Sequence, residues 1–472
     1  MLFSSTVFIF LFLPLVLIGY YVLFKDKRKV QNAFLFLTSL LFYAWGEPRF
    51  VFVMLLSILG NWIFGLLVDK YRDHIIARRL VIVSMLIFNL SIIFIFKYLM
   101  FTLGIINNLL KFKITIPNIV LPIGISFFTF QAISYVIDIY RKNGQVQKNP
   151  LNVGLYISFF PQLIAGPIVR YQTVADQIEN RVETFDDFSE GVVRFITGLA
   201  KKVLIANNMA IVADKAFALQ GDQITVVFAW LGALAYTFQI FFDFGGYSDM
   251  AIGLGKMFGF HFDENFNYPY ISKSISEFWR RWHISLGSWF RDYVYFPLGG
   301  SRVANKSKLI FNLFVVWFLT GVWHGANWTF IAWGIFYFII IAFEKVTDFE
   351  KRASNLNWLK HIYTLLLVIV GWVLFRAENI IKASEYLKSM VGLNNNLWID
   401  DYSKLYFMEY KYIYILAIIF STPLFKWLSN KYKLKDNIFL LPVNILLIIG
   451  MFTLSLSYII KGSYNPFIYF NF

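Results

Sequence analysis

The sequence contains no cysteine and few charged residues. Among its 472 residues there is no Cys, and Asp, Glu, Lys and Arg together make up 15%, whereas soluble domains carry about 25%. Without Cys the chain has no disulfide, thiolate metal ligand or thiol nucleophile, so a cysteine acyl-enzyme is excluded. The phosphate-loop, H-E-x-x-H and G-x-S-x-G motifs are also absent, which removes the usual support for an ATPase, a metalloprotease or a hydrolase.

Apolar and aromatic residues are abundant instead. Hydrophobic residues make up 58% of the chain and aromatic residues 20%, so we predict an all-α polytopic membrane protein in contact with lipid. Lys and Arg outnumber Asp and Glu by 43 to 28, mostly in short loops. In a soluble chain this surplus would suggest nucleic acid, but here it fits the positive-inside rule and no nucleic-acid partner is predicted. The basic cluster 25–29 after the first apolar run places that end in the cytoplasm and the N-terminus outside.

Apolar runs recur along the whole chain. They predict about eleven transmembrane helices, plus amphipathic interfacial helices, in a single integral membrane domain, residues 1–472. The runs are Thr6–Phe24, Ala33–Trp45, Phe50–Val68, Leu80–Phe96, Leu121–Tyr140, Val153–Ile168, Val226–Phe242, Ile310–Phe343 (counted as two), Ile362–Phe375, Tyr412–Phe425 and Ile438–Ile460. The amphipathic stretches between them are Phe188–Leu219, Ser274–Tyr295 and Glu378–Val391.

His324 lies in the run Ile310–Phe343, which holds no charged residue. As one helix this run would be roughly 50 Å long, so it is predicted to break at Gly321 and Gly325. An ionisable side chain at such a site indicates function, and burial favours the neutral imidazole that can accept a proton. We predict that His324 is a general base, with Asn327 as a possible donor to an oxyanion. The alternative is a turn histidine satisfied by Asn327 or by a backbone carbonyl.

His283 lies in a Trp- and Arg-rich stretch that begins at Ser274. Ser274 and Glu277 have the spacing of a capping box, which marks the start of a helix. His283 is predicted to share the apolar side of that helix, whereas Arg280 and Arg281 lie largely on another side. Two interpretations remain open: a membrane-interface element, or a site where His283 holds or polarises a substrate near the general base.

Two carboxylates, Asp243 and Asp249, follow the run that ends at Phe242. Gly245 and Gly246 separate them and are predicted to break the helix. Carboxylates at membrane depth need partners. These two therefore either pair with Arg or His across the bundle or belong to the active site.

Several blocks together resemble the membrane-bound O-acyltransferase (MBOAT) family, in its alginate O-acetylation and peptidoglycan O-acetyltransferase branch. The resemblance covers nearly the whole chain, in the blocks Phe3–Phe8, Phe160–Ile168, Asp243–Asp249, Asn265–Tyr270, Glu277–His283, Arg291–Tyr293, Trp323–Ala326 and Trp333-Gly334. It implies a ring of helices around a central passage, with His324 as the catalytic histidine and His283 as its companion. The candidate supporting residues are Asp243, Asp249, Asn327, Arg280 and Arg281.

The same resemblance implies acetyl-CoA as the cytosolic donor, without a tightly bound cofactor or metal, in the bacterial cytoplasmic membrane. Acetyl would be delivered to the outer face. There an extracytoplasmic SGNH-type acetyltransferase partner would pass it to a polysaccharide such as an alginate-like exopolysaccharide or peptidoglycan. Tyr469, in the aromatic stretch Pro466–Phe472, resembles an acyl acceptor proposed for such systems; the alternative is an aromatic anchor at the interface.

Two other functions compete with this expectation. The related branch transfers D-alanyl groups from a carrier protein to teichoic acid. The context of Ala326 and Trp333-Gly334, with the fused tyrosine tail, favours the acetyl branch. A polysaccharide transporter or flippase is the rival from another class, because buried charges also mark transport paths.

Overall fold

The structure is a computed structural model that describes residues 1–219, 221–303, 305–350, 356–432, 440–462, 464–466 and 468. This part of the chain forms helices and connecting loops and contains no β-strand. In chain order the helices are α1 Phe8–Leu23, α2 Arg28–Ala44, α3 Val51–Lys70, α4 Ile75–Leu110, α5 Ile125–Tyr140, α6 Pro150–Ser158, α7 Tyr171–Asn180, α8 Phe185–Ala218, α9 Val226–Met257, α10 Ile275–Arg281, α11 Ile284–Phe290, α12 Lys306–His324, α13 Trp328–Val346, α14 Asn357–Arg376, α15 Ile380–Met390, α16 Asp401–Phe420, α17 Leu424–Lys431 and α18 Leu441–Ile460.

Several helices contain or continue into π turns, in which the hydrogen bonds span one residue more than in an α-helix. These turns are Phe8–Phe12 and Gly19–Leu23 in α1, Phe94–Tyr98 in α4, Lys201–Ala206 in α8, and Arg291–Tyr295 after α11. Short 3-10 turns occupy Gly221–Gln223 and Pro269–Ile271. The π turn in α8 bears on the site, because it carries the buried side chain of Lys202.

The chain has the predicted apolar helices, although their count differs. Within the described ranges, eight helices are long and apolar enough to cross a bilayer, and α16 with α17, bent by 56°, would make a ninth. Helices α1 and α5 are apolar but shorter. The predicted span Val153–Ile168 is wrong in extent: α6 ends at Ser158, because Pro161 cannot continue a helix. The stretch Phe188–Leu219, predicted to be interfacial, lies mostly in α8, one of the eight candidate membrane helices.

The predicted break in the run Ile310–Phe343 is confirmed. Helix α12 ends at His324, and Gly325 then takes an extended conformation. Asn327 caps the next helix, because its Oδ1 accepts a hydrogen bond from the Thr329 backbone nitrogen at 3.0 Å. The chain therefore reverses direction directly after His324.

Helices α12 and α13 pack at backbone distance through two glycines. A Cβ atom on Gly321 would lie 2.5 Å from the carbonyl oxygen of Phe330, and one on Gly334 would lie 2.5 Å from that of Trp317. No side chain fits at either point. This close packing holds the α12–α13 turn, and the histidine on it, in a defined position.

Helix α9 is continuous, so the predicted break at Gly245 and Gly246 is wrong. A Cβ atom on Gly246 would lie 2.7 Å from the carbonyl oxygen of Gly198 and 3.1 Å from the backbone nitrogen of Lys202. Gly246 therefore lets α8 approach α9 instead of ending the helix. A glycine inside a helix costs only about 1 kcal/mol relative to alanine, which close packing between helices can outweigh.

The start of α10 is confirmed, whereas the continuous helix predicted across Ser274–Tyr295 is wrong. The Glu277 backbone nitrogen donates to Ser274 Oγ at 2.8 Å, as capping-box spacing predicts. The helix then stops, and His283 adopts a positive φ of 46° before α11. The Ile284 backbone nitrogen donates to the carbonyl oxygen of Asn265 at 2.9 Å. A loop outside the helix thus replaces an internal hydrogen bond at the break.

Two compact units can be distinguished. The first comprises Met1–Phe195 and Ser248–Asp263, and the second comprises Ile196–Tyr247 and Glu264–Phe472. Among the described site candidates, Asp249 belongs to the first unit and all the others to the second. The single domain over 1–472 and the ring of helices around a passage stay predictions.

Candidate active site

His324 is the last residue of α12, and its side chain is buried, with only 7% of the residue exposed. Its imidazole is surrounded by rings whose centroids lie at 4.9 Å (Trp323), 5.0 Å (Trp333) and 5.0 Å (Phe375). All three rings meet it at steep angles, between 77° and 83°. The histidine therefore lies in an aromatic enclosure at the α12–α13 turn.

His283 is buried and held by the side chain of Asn265. Its Nδ1 lies 3.1 Å from Asn265 Oδ1. The same oxygen accepts hydrogen bonds from the backbone nitrogen of Ser285 at 3.2 Å and from its Oγ at 2.9 Å. Because a backbone N–H can only donate, the shared Asn265 atom must be the oxygen, and His283 Nδ1 must carry the proton. This leaves Nε2 as the acceptor atom of the neutral ring.

Burial also keeps His283 neutral. The residue lies outside the candidate membrane spans, and loss of hydration lowers its pKa to about 3. At neutral pH the ring therefore carries one proton, on the nitrogen that Asn265 holds. Such a ring can accept a proton or a hydrogen bond through Nε2.

Trp323 connects the two histidines. Its ring centroid lies 6.2 Å from that of His283 and 4.9 Å from that of His324. Phe244 packs edge-on against His283 from α9 at 4.6 Å. The structure thus brings the two predicted histidines into one aromatic cluster, as the hypothesis of a joint site requires.

A cavity of about 360 Å³ lies beside this cluster. Phe330 and Phe375 line it, and both rings also contact the His324 ring, at 6.4 Å and 5.0 Å. Tyr236, Gln239 and Thr329 line it as well. Within the described part of the chain, the Tyr236 hydroxyl, Gln239 Oε1 and Thr329 Oγ1 are buried and have no hydrogen-bond partner. These atoms are therefore available to a ligand in the cavity.

Asn327 lines the same cavity and fastens the turn that carries the histidine. Its Oδ1 caps α13, and its Nδ2 donates to the Glu378 carbonyl oxygen at 2.9 Å. The second bond ties the turn to the residues after α14. Its predicted role as an oxyanion donor stays a prediction.

The two carboxylates on α9 have separate partners. Asp243 is buried and pairs with Lys202 Nζ at 2.7 Å, so its partner is a lysine and not the Arg or His that we predicted. Asp249, in the first unit, pairs with Arg194 at 2.9 Å, which is the kind of partner that the first of the two alternatives requires. Six residues on an α-helix turn the side-chain direction by about 240°, so the two carboxylates leave different sides of α9.

Arg280 and Arg281 form ion pairs of their own. Arg280 contacts Glu350 at 2.7 Å, and its side chain is 56% exposed. Arg281 contacts Glu277 at 2.9 Å and donates to the carbonyl oxygen of Asn267 at 3.1 Å. Within the described ranges, the partners of the two arginines are thus carboxylates and a backbone carbonyl.

Tyr469 lies outside the described residues. Shortly before it, Tyr464, Pro466 and Ile468 line the cavity beside the histidine cluster. The Ile468 backbone nitrogen donates to Asp243 Oδ2 at 2.9 Å. The chain is thus fixed next to the cavity one residue before the proposed acyl acceptor.

Sequence reasoning missed two residues of the site. Asn265 belongs to a block that carries the family resemblance, but no role was assigned to it. Lys202 lies in the stretch Phe188–Leu219, which the sequence predicts to be amphipathic and interfacial, although its side chain is buried. A carboxylate in an apolar run, such as Asp243, was the signal that a buried cation had to exist.

With this geometry established, comparison with known proteins defines the family. Residues 145–382, half of the chain, match the MBOAT, membrane-bound O-acyltransferase family. The chain belongs to this family. It is 45% identical to the probable alginate O-acetylase AlgI of Pseudomonas syringae pv. tomato over 401 residues, which cover 84% of this chain and 76% of that protein. This MBOAT protein is therefore a membrane acyltransferase.

More distant relatives carry other names. The peptidoglycan O-acetyltransferase of Helicobacter pylori is 36% identical to this MBOAT protein over 427 residues, 84% of this chain and 80% of that protein. The teichoic acid D-alanyltransferase of Bacillus subtilis is 30% identical over 269 residues, 54% of this chain and 66% of that protein. This chain is thus more similar, and over more of its length, to the two proteins named for O-acetylation than to the D-alanyltransferase.

Proposed function

We propose that this MBOAT protein takes acetyl from cytosolic acetyl-CoA and passes it across the bacterial cytoplasmic membrane for O-acetylation of an extracytoplasmic polysaccharide. The observation that carries the proposal is the position of His324. Its ring contacts those of Phe330 and Phe375, which also line a cavity next to the C-terminal residues Tyr464, Pro466 and Ile468. The relatives named for O-acetylation support acetyl as the transferred group.

His324 acts in this proposal as the general base. The hydroxyl oxygen of Tyr469 attacks the thioester carbonyl carbon, a C–O bond forms and the C–S bond breaks. The hydroxyl proton passes to His324 and then to the leaving thiolate, which gives free CoA and an acetyl-tyrosine ester. A hydroxyl of the partner or polymer then attacks this ester, and Tyr469 regains its proton.

The cavity supplies space and polar atoms for this step. Its volume of about 360 Å³ is ample for an acetyl group and the end of a thioester chain. The hydroxyl groups of Tyr236 and Thr329 can donate hydrogen bonds to the oxyanion that develops on the carbonyl. Neither hydroxyl has to give up another partner within the described residues.

The charges at the helix ends support an orientation. Helix α12 starts with Lys306 and Lys308, and α13 carries Lys345 near its end, whereas His324 lies at the opposite end of both. By the positive-inside rule the basic ends face the cytoplasm. The cavity then lies toward the outer side, where an acetylated tail would meet an extracytoplasmic SGNH-type partner. The basic residues after α1 favour an N-terminus on the outer side by the same argument.

Ester-acetate analysis of each envelope fraction, with and without the protein, tests the proposal and identifies the polymer. Loss of ester acetate from one polysaccharide fraction in the deletion strain, restored by the unaltered gene but not by His324→Ala, is the expected result. The variant must accumulate normally in the membrane. Unchanged acetate in all fractions would contradict the proposal.

The same samples distinguish the two rival functions. Mild alkali releases acetate from an O-acetylated polymer and D-alanine from a D-alanylated teichoic acid. Release of D-alanine that depends on the protein would replace the acetyl proposal with the rival branch. Vesicles that contain the purified protein and move glycan, but never consume acetyl-CoA, would favour a transporter.

A further inference from the structure

A buried ion pair connects α8 and α9 in the second unit. Lys202 Nζ lies 2.7 Å from Asp243 Oδ1, and the side chains are only 3% and 2% exposed. Lys202 lies in the π turn of α8, directly opposite Gly246, whose missing side chain lets the two helices approach. Two charges removed from water to this extent need further hydrogen bonds to be stable.

Backbone atoms of the C-terminal tail form hydrogen bonds with both charged side chains. Lys202 Nζ donates to the Pro466 carbonyl oxygen, and Asp243 Oδ2 accepts from the Ile468 backbone nitrogen at 2.9 Å. The tail therefore presents an acceptor to the cation and, two residues later, a donor to the anion. Because a carbonyl oxygen must face the lysine and an N–H must face the carboxylate, the two hydrogen bonds together specify the register and the direction of the tail.

Two further hydrogen bonds between side chains hold the tail residues that lie closer to α18. Asn207 accepts from Lys202 Nζ at 2.8 Å, and its Nδ2 donates to Asn465 Oδ1 at 3.3 Å. The Tyr464 hydroxyl donates to Asp214 Oδ2 at 2.6 Å. Residues 464–466 and 468 are thus attached at four points along one wall of the cavity.

We propose that Lys202 and Asp243 form a clamp that binds the tail backbone at Pro466 and Ile468 and fixes its register along the cavity, so that acylation of the tail depends on both residues. Both are positioning residues. The clamp explains why a buried lysine faces a buried carboxylate beside the cavity. The role of the clamp in acyl transfer rests on the proposed function, but the docking of the tail can be measured independently of that function.

Tail docking can be measured by cysteine labelling, because the chain contains no other cysteine. Ile468→Cys keeps the backbone nitrogen that Asp243 binds, and Ile468 is only 5% exposed. We expect N-ethylmaleimide to label this cysteine slowly in the purified full-length protein. Adding Lys202→Met should raise the labelling rate by about 100-fold, because it leaves a buried carboxylate without its cation. Rapid labelling without Lys202→Met, or slow labelling with it, would overturn the clamp.

The exchanged pair, Lys202→Asp with Asp243→Lys, separates tail binding from simple ion pairing. It restores an ion pair between α8 and α9, but it directs a carboxylate at the Pro466 carbonyl and an ammonium at the Ile468 N–H. We expect fast labelling and loss of acetyl transfer in a protein that still purifies as a single species. Full protection in the exchanged protein would show that only the ion pair matters and would overturn the clamp.

Arg194→Met is the matched control. It breaks the ion pair of Arg194 with Asp249, which also joins α8 to α9 but lies about two helical turns before Lys202 along α8. Slow labelling of Ile468→Cys in this background supports the clamp, and fast labelling overturns its specificity. Full acetylation by Tyr469→Phe would overturn the acyl relay but not the clamp. The labelling rates measure the docking of the tail and do not depend on acetyl transfer.

Discussion

Asn265 determines which nitrogen of His283 carries the proton. Its Oδ1 lies 3.1 Å from His283 Nδ1 and also accepts from the Ser285 backbone, so this oxygen can only be an acceptor. The imidazole is consequently held with Nε2 as its acceptor. An amide at this position therefore has a role in the site as well as in capping α11.

Asn265→Ala should impair acetylation and loosen α11. The change removes the acceptor for His283 Nδ1 and for Ser285, and loss of such a cap costs about 1–2 kcal/mol of stability. We expect ester acetate to fall while the protein remains in the membrane. Asn267→Ala, at an exposed position two residues away, is the control. Equal acetylation by the two variants would contradict the role of Asn265.

Acid should destabilise the protein through His283. Its pKa is lowered to about 3 by burial, whereas an unfolded histidine titrates near 6.5. Below about pH 6.5 the unfolded state therefore binds the additional proton, and stability falls by up to about 1.4 kcal/mol per pH unit as the pH decreases toward 3.

The measurement is the thermal unfolding midpoint in detergent at pH 7 and pH 5. His283→Asn cannot titrate in this range, and asparagine tolerates the positive φ at this position. The variant should lose less stability between the two pH values than the unaltered protein. Equal losses would show that His283 is not the responsible group.

Gly321→Ala should disturb the α12–α13 turn. The new Cβ would meet the Phe330 carbonyl oxygen at 2.5 Å, so the helices must separate, at a cost of about 1–3 kcal/mol. Because His324 follows one turn later on α12, acetylation should fall together with stability. Gly450→Ala is the control, since, apart from its own helix backbone and chain neighbours, none of the described residues has an atom within 4 Å of its Cβ position. Normal activity and stability in Gly321→Ala would contradict the close packing.

Some of this architecture could be predicted from local sequence. The break after His324 follows from length, because an uncharged run of this extent cannot remain one helix within a bilayer. The start of α10 follows from Ser274 and Glu277, which act within one turn of each other. In both cases the cause lies within a few residues of its effect.

Other features depend on partners that are remote in the sequence. The break at His283 is made by Asn265, eighteen residues earlier, and helical periodicity across Ser274–Tyr295 contains no sign of it. Gly246 allows α8 to pack closely against α9 and does not end the helix. The sequence of α9 alone cannot distinguish these two roles of a glycine, because the distinction depends on the position of α8. Lys202 could be assigned only when the tail and Asp243 were seen to surround it.

Thiol release from acetyl-CoA by the purified protein is the most direct measurement of His324-dependent acetyl transfer. Each acetyl group transferred frees one CoA thiol, and a chain without cysteine adds no thiol of its own. The unaltered protein and His74→Ala, changed at an exposed histidine, should release CoA and gain alkali-labile acetate. His324→Ala should do neither. Equal release of CoA by His324→Ala, with equal acetate bound, would contradict the assignment of His324 as the base.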